Sequence, residues 1–189
     1  MRALLPGLLV CLLYPALGQA APVRNVTAAD APRALEGDGP VQVRWGDPAK
    51  FTEIAYSGNR WEAARGNWVQ ELARHLAEQA GPRLQPGQRL QVTFTDIDLA
   101  GDYEPWRGPR MSDVRLLREL YPPKISLSYQ LSEAGGQLLH SAEQVLSDPG
   151  FLHSGGSLRY RNDSLRYEKR LLDRWLQQLL PATPAAARR

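Results

Sequence analysis

Apolar and polar positions alternate clearly in three places along the chain. Val41, Val43 and Trp45 alternate with Gln42 and Arg44, and Leu90, Val92 and Phe94 with Gln91, Thr93 and Thr95. Ile125, Leu127, Tyr129 and Leu131 alternate with serines and Gln130. A period of two is the signature of a half-buried strand. After the third strand, Ser132 to Gly136 reads as a turn and Leu138 to Leu146 as the returning strand of a hairpin. Within the second strand the apolar parity moves from 90, 92 and 94 to Ile97 and Leu99. A change of face inside one strand predicts a β-bulge or a strand end near Thr95 and Asp96.

A period near 3.6 marks two helices. From about Arg60 to Ala80, Trp61, Ala64, Trp68, Leu72 and Leu76 share one face, flanked by Val69 and Ala80, and Gly81-Pro82 ends the run. His75 lies at the edge of that stripe and is read as structural. Gly66, inside the run, costs about 1 kcal/mol relative to alanine. Phe51, Ile54 and Tyr56 precede this helix in a connecting segment, and Ser57-Gly58-Asn59 is a turn. The last helix is expected from Leu165 to Leu180, capped by Asp163 or Ser164 and stopped by Pro181, with Leu165, Leu172, Leu176 and Leu179 as its stripe. Strand, helix, strand at the first of these spacings predicts a parallel pair with a right-handed crossover. Ala100 to Pro123 is a long excursion, with one short helix expected after Ser112 or Asp113, carrying Val114, Leu117, Leu120 and Tyr121. The expected fold is a two-layer α/β (α+β) sandwich: a mixed sheet of about four strands, two main helices mostly on one face, and the order β-α-β-(loop or short helix)-β-β-α.

The N-terminus changes this picture by adding an address. Arg2 precedes an apolar run from Ala3 to Leu17, followed by the small residues Gly18 and Ala20, which reads as a cleavable export signal over residues 1–20. The run is short and proline-broken for a membrane span, which needs about 20 apolar residues. Cys11 sits inside it behind Val10 and is read as part of the signal core, not as a lipidated cysteine. Cleavage leaves a mature chain without cysteine, which excludes disulfides, thiolate catalysis and cysteine-bound zinc. Residues 21–40, rich in Ala, Pro, Gly and Asp, are expected to be a mobile leader, 41–180 a single α/β domain and 181–189 a disordered tail. The expected location is periplasmic or secreted, with no stable membrane span after cleavage.

Charge narrows the partners. The chain has 23 basic and 20 acidic residues, a net charge of +3, and loss of Arg2 with the signal brings the balance closer still. That is too even for a nucleic-acid or anionic-membrane surface. Arg115, Arg118, Arg159, Arg161, Arg166, Arg170 and Arg174 make the second half basic, and Arg166, Arg170 and Arg174 fall on one helix face that reads as solvated.

Candidate chemistry gathers after the second strand. Asp96, Asp98, Asp102 and Glu104 form an acidic cluster, and Tyr103, Trp106 and Arg107 an aromatic and cationic rim suited to a glycan or peptide. As a calcium loop starting at Asp96 the spacing fails, because the third ligand position is Ala100 and the twelfth Arg107. Paired carboxylates at a strand end either cap turns or serve as an acid/base or oxygen-ligand set. Glu168 lies about 60° from Leu165 on the last helix, within its apolar stripe. A carboxylate there must be paired or neutral, and an arginine of the excursion is the expected partner. The three histidines lack metal-ligand spacing, and there is no nucleophile elbow, phosphate loop or dinucleotide fingerprint, so no metal or cofactor is implied.

Four segments carry a resemblance: Phe51 to Gly58; Asp96-Ile97-Asp98-Leu99-Ala100-Gly101 leading to Glu104-Pro105-Trp106; Tyr121-Pro122-Pro123-Lys124-Ile125; and Leu165 to Trp175. Together they resemble a proteobacterial family of exported proteins, domain-of-unknown-function family 3016. The resemblance implies an envelope protein with one α/β domain and supplies no activity, ligand or catalytic residue. The functional expectation is a non-catalytic binding or interaction module of the periplasm, its partner an envelope protein or glycan. The alternative is a hydrolase or metal-dependent enzyme using the acidic cluster.

Overall fold

A computed structural model describes residues 24–153, 160 and 162–181. Four strands form the main sheet: β1 (Val41–Trp45), β2 (Arg89–Asp98), β5 (Lys124–Ser132) and β6 (Leu138–Ser147), in that spatial order. β1 runs parallel to β2, and β2–β5 and β5–β6 are antiparallel, so the sheet is mixed as the pattern predicts. The register of β2 against β5 shifts between Phe94 and Asp96. Thr95 is the extra residue, and it returns Ile97 to the buried face that Leu90, Val92 and Phe94 occupy. Two short strands in the excursion, β3 (Asp102–Tyr103) and β4 (Arg115–Leu116), pair antiparallel as a separate ribbon.

Among the described residues four α-helices accompany the strands: α1 (Thr52–Ala55), α2 (Arg60–Ala63), α3 (Trp68–Ala80) and α4 (Arg166–Leu179). α3 packs on β1 and α4 on β6, and the two helices touch each other. Both therefore cover one face of the sheet. Leu72 and Leu76 of α3 meet Leu172 and Leu176 of α4 in a single core with Val92, Phe94 and Leu127, all of them buried. Each such side chain contributes about 1.5–3 kcal/mol on burial.

The structure corrects four expectations. The helix expected from Arg60 to Ala80 is two helices, broken at Gly66, whose φ of 92° an L-residue adopts only at a cost of about 1–2 kcal/mol. The break turns Trp61 off the core stripe and into solvent. Its cause is the leader. Gly66 N–H donates to Arg24 (2.7 Å) and Val26 N–H to Ala64 (3.0 Å), and Val26 is buried. The segment expected to be mobile is thus docked from Arg24, and further on it covers the outer edge of β1: Leu35 N–H donates to Val43 and Trp45 N–H to Arg33, both at 2.9 Å. Third, no helix follows Ser112. That stretch forms β4, because pairing with Asp102 and Tyr103 satisfies its backbone and turns Arg115 inward. Val114, Leu117 and Leu120 stay exposed.

Fourth, the arginine face of α4 is not simply solvated. Asp148, buried, accepts from Arg170 (3.3 Å) and Arg174 (2.7 Å), and Arg170 also donates to the Phe151 carbonyl. The chain after β6 folds back on α4, with the Phe151 ring edge-on to Tyr167. Arg159, Arg161, the export signal and the tail from residue 182 lie outside the described residues.

Candidate functional site

The end of β2 is held by carboxylates from two distant helices. Glu53 on α1 accepts the Leu99 amide (2.9 Å), and Glu168 on α4 accepts the Ala100 amide (2.7 Å). Consecutive N–H groups of one turn are thereby gripped by side chains of two different helices. Arg115 on β4 closes the clamp. It donates to the Gly101 carbonyl (2.7 Å), makes a two-pronged pair with Glu53, and lies with its guanidinium carbon 4.8 Å over the Tyr103 ring. Gly101, at φ 82°, turns the chain here; a Cβ would come within 2.7 Å of the Leu116 carbonyl oxygen.

Burial sets the charge of these acids. It pushes Glu53 up to about 7 against Arg115 and the Leu99 amide. It raises Glu168 as well, against the Ala100 amide, while the second carboxylate oxygen of Glu168 has no hydrogen-bond partner. The arginine expected to pair with Glu168 is Arg115, but it is bonded to Glu53 and reaches Glu168 only through its field. Asp98, half-buried and opposite Lys124 in the β2–β5 register, is pushed up to about 6 by burial, against Lys124, with Asp96 and Asp102 adding to the rise.

The rest of the acidic cluster points elsewhere. Asp96 caps α1, accepting from the Thr52 amide (2.6 Å) and hydroxyl (2.7 Å). Asp102 accepts the Tyr103 amide at 2.7 Å. Glu104 is covered by its own partners, Arg107, Arg118 and the Tyr121 hydroxyl, and the Arg107 hydrogen bond leads in holding it down at about 2. An acid/base or metal set needs carboxylates that converge on one open space. These reach four separate groups of partners. Among the described residues, no three or more His, Cys, Asp or Glu side chains are arranged to hold a metal ion. A cleft of about 480 Å³ lies where the docked leader meets α3, lined by Val26, Trp45, Asn67, Val69 and Gln70 among others and by none of the acids of the cluster.

The aromatic rim divides. Tyr103 is buried beneath Arg115 and leaves the rim, Arg107 is half spent on Glu104, and Trp106 stands 70% exposed. Two further exposed aromatics, which the sequence reading placed elsewhere, stand on the α1–α2 segment: Tyr56 at 81% and Trp61 at 65%, the latter with the Arg65 guanidinium carbon 4.8 Å over its ring. That segment is locked to the excursion. A Cβ on Gly58 would fall 2.1 Å from the Tyr103 carbonyl oxygen and 2.9 Å from Pro105. Asn59 donates to the Ser112 carbonyl (3.0 Å) and to Asp113 (3.1 Å).

A family model described as "Protein of unknown function (DUF3016)" matches residues 39–178. The chain belongs to this family. No curated protein and no solved structure matches it. In this DUF3016 chain the matched span holds the whole clamp, the Glu104 cluster and all three exposed aromatics, while the docking contacts of Arg24 and Val26 precede it. Glu53 is the member of the clamp that sequence reasoning missed. Its helix has only four residues, too short for any periodicity to mark an inward position. The one available signal was a carboxylate set between Phe51 and Ile54, both apolar.

Proposed function

We propose that this DUF3016 protein is an exported, non-catalytic binding module of the cell envelope, engaging envelope polysaccharide through Tyr56, Trp61 and Trp106. The export signal read over residues 1–20 supports the address. Among the described residues, no helix is long and apolar enough to cross a membrane. The observation that carries the binding role is a division of labour. The carboxylates of the cluster face protein partners, while three large aromatics project from two segments locked together at Gly58. Large flat side chains with few rotatable bonds, held on a fixed frame, suit recognition because little freedom is lost on contact.

Two experiments test this. N-terminal sequencing of the protein recovered from a periplasmic fraction should begin at Ala21; a retained Met1 removes the address. The full-length protein should co-sediment with insoluble cell-wall polysaccharide, and Trp61→Ala with Trp106→Ala should reduce the bound fraction at least tenfold. Equal sedimentation of wild type and variant overturns the assigned surface, and a protein partner captured in place of the polysaccharide overturns the ligand class.

A further inference from the structure

The two edges of the main sheet are treated differently. The outer edge of β1 is closed by the leader, through the hydrogen bonds of Arg33 and Leu35. β6 is the other terminal strand, and among the described residues nothing pairs with its outer side. A long bare edge is a template for another strand, and proteins usually blunt it with lysine, proline or a very short strand. β6 has ten residues and contains no lysine, arginine or proline. A register shift against β5 at its start leaves Leu139 out of the pairing, the only interruption along the strand. Leu138, Leu139 and Val145 are exposed.

We propose that two copies of this chain join through Leu138–Ser147, β6 against β6, about a two-fold axis. The sequence of the strand selects both the partner and the register. An antiparallel pair about an axis perpendicular to the sheet must place a residue opposite its own copy, because side chains alternate faces and each pair must share one. Only Ala142 and Glu143 are central enough to keep nearly the whole strand paired. Centring on Glu143 sets two carboxylates directly opposite each other, which is repulsive. Centring on Ala142 sets Glu143 opposite Ser141, His140 opposite Gln144 and exposed Leu139 opposite exposed Val145, while Leu138, beyond the bulge and on the face of Ser132, stays outside the pairing. The strand is complementary to itself in one register. The two four-stranded sheets then run on as one, with all helices on the same face.

Sedimentation velocity of the full chain, with masses from light scattering, should give twice the 21.1 kDa protomer mass at micromolar concentration, and less by the signal where it is removed. Val145→Lys should weaken the dimer at least tenfold, as should Leu139→Lys, with unchanged circular dichroism certifying that each variant is folded. In a Cys11→Ser background, Ala142→Cys should cross-link to its own copy on mild oxidation. Opposed Cα atoms in such a pair lie about 4.5–5.5 Å apart, within disulfide reach. Glu143→Cys should cross-link far more slowly. A monomer at all concentrations, a dimer indifferent to both lysines, or equal cross-linking at 142 and 143 each overturns the proposal.

Discussion

Glu104 and Glu168 are almost equally shut away from solvent, at 0% and 1% exposure, yet their protonation is driven in opposite directions. Glu104 is held down at about 2 by Arg107, Tyr121 and Arg118, whereas Glu168 is pushed up by burial, which outweighs the Ala100 amide, its own amide and the fields of Arg115 and Arg166. The difference lies in the donors. A carboxylate wrapped by charged donors at the rim of the excursion keeps its charge, and one set into a core of leucines does not. The excursion is therefore fixed to the domain by two kinds of acid: an ionised one that organises its tip, and buried ones, Glu53 and Glu168, that hold its root.

The most severe way to break this arrangement is Arg115→Ala. It leaves Glu53 buried without its cation and strips donors from the Gly101 and Ala100 carbonyls. Losing one partner of a buried pair costs about 3–5 kcal/mol, measurable as a lower urea midpoint at pH 7.5. The loss should shrink at pH 5, where Glu53 is neutral.

The pH dependence of the wild type comes next. Folded-state values of about 7 for Glu53 and about 6 for Asp98 lie above their ordinary values of 4.5 and 3.8. Groups raised in the folded state contribute stability that is fully present below the unfolded value and is lost as pH climbs through the folded one. For Glu53 this amounts to at most about 3 kcal/mol between pH 4.5 and 7; Asp98, partly open to solvent, adds less. Glu104 acts in the other direction, since its contribution is present above 4.5 and is lost as pH falls toward 2. The melting temperature should therefore peak near pH 4–4.5 and fall on both sides. Glu53→Gln should flatten the alkaline side most, Glu168→Gln, which keeps the acceptor for Ala100, should remove only its own part of that loss, and Glu104→Gln should flatten the acid side alone.

A smaller effect is expected from Gly58→Ala. Its Cβ would meet the Tyr103 carbonyl, forcing the α1–α2 segment off the excursion at a cost of about 1–3 kcal/mol. The drop should show as a lower urea midpoint at pH 4.5, where Glu53 is neutral and its ionisation adds nothing to the difference.

The sheet was legible in the sequence because each of its strands except β6 buries one face, and burial writes itself as alternation. The bulge at Thr95 was legible for the same reason, as a change of parity. What escaped depends on residues remote in the chain. The break at Gly66 is imposed by backbone groups of Arg24 and Val26, which no helical wheel contains. Arg115 looked like one more basic residue until the fold set it against Glu53, 62 positions away. Arg170 and Arg174 of α4 read as solvated because their partner, Asp148, sits in an irregular segment without pattern. Of the candidate site, Trp106 stands exposed where the rim was expected. Tyr103 moved into the core, and the acids became a frame.

The most direct test of that frame is a ¹³C NMR titration of the glutamate carboxyls, assigned with Glu53→Gln, Glu104→Gln and Glu168→Gln. Glu53 should titrate with a midpoint of about 7, Glu168 above the ordinary glutamate range and Glu104 near 2. Three curves superimposed at the ordinary value near 4.5 would contradict it.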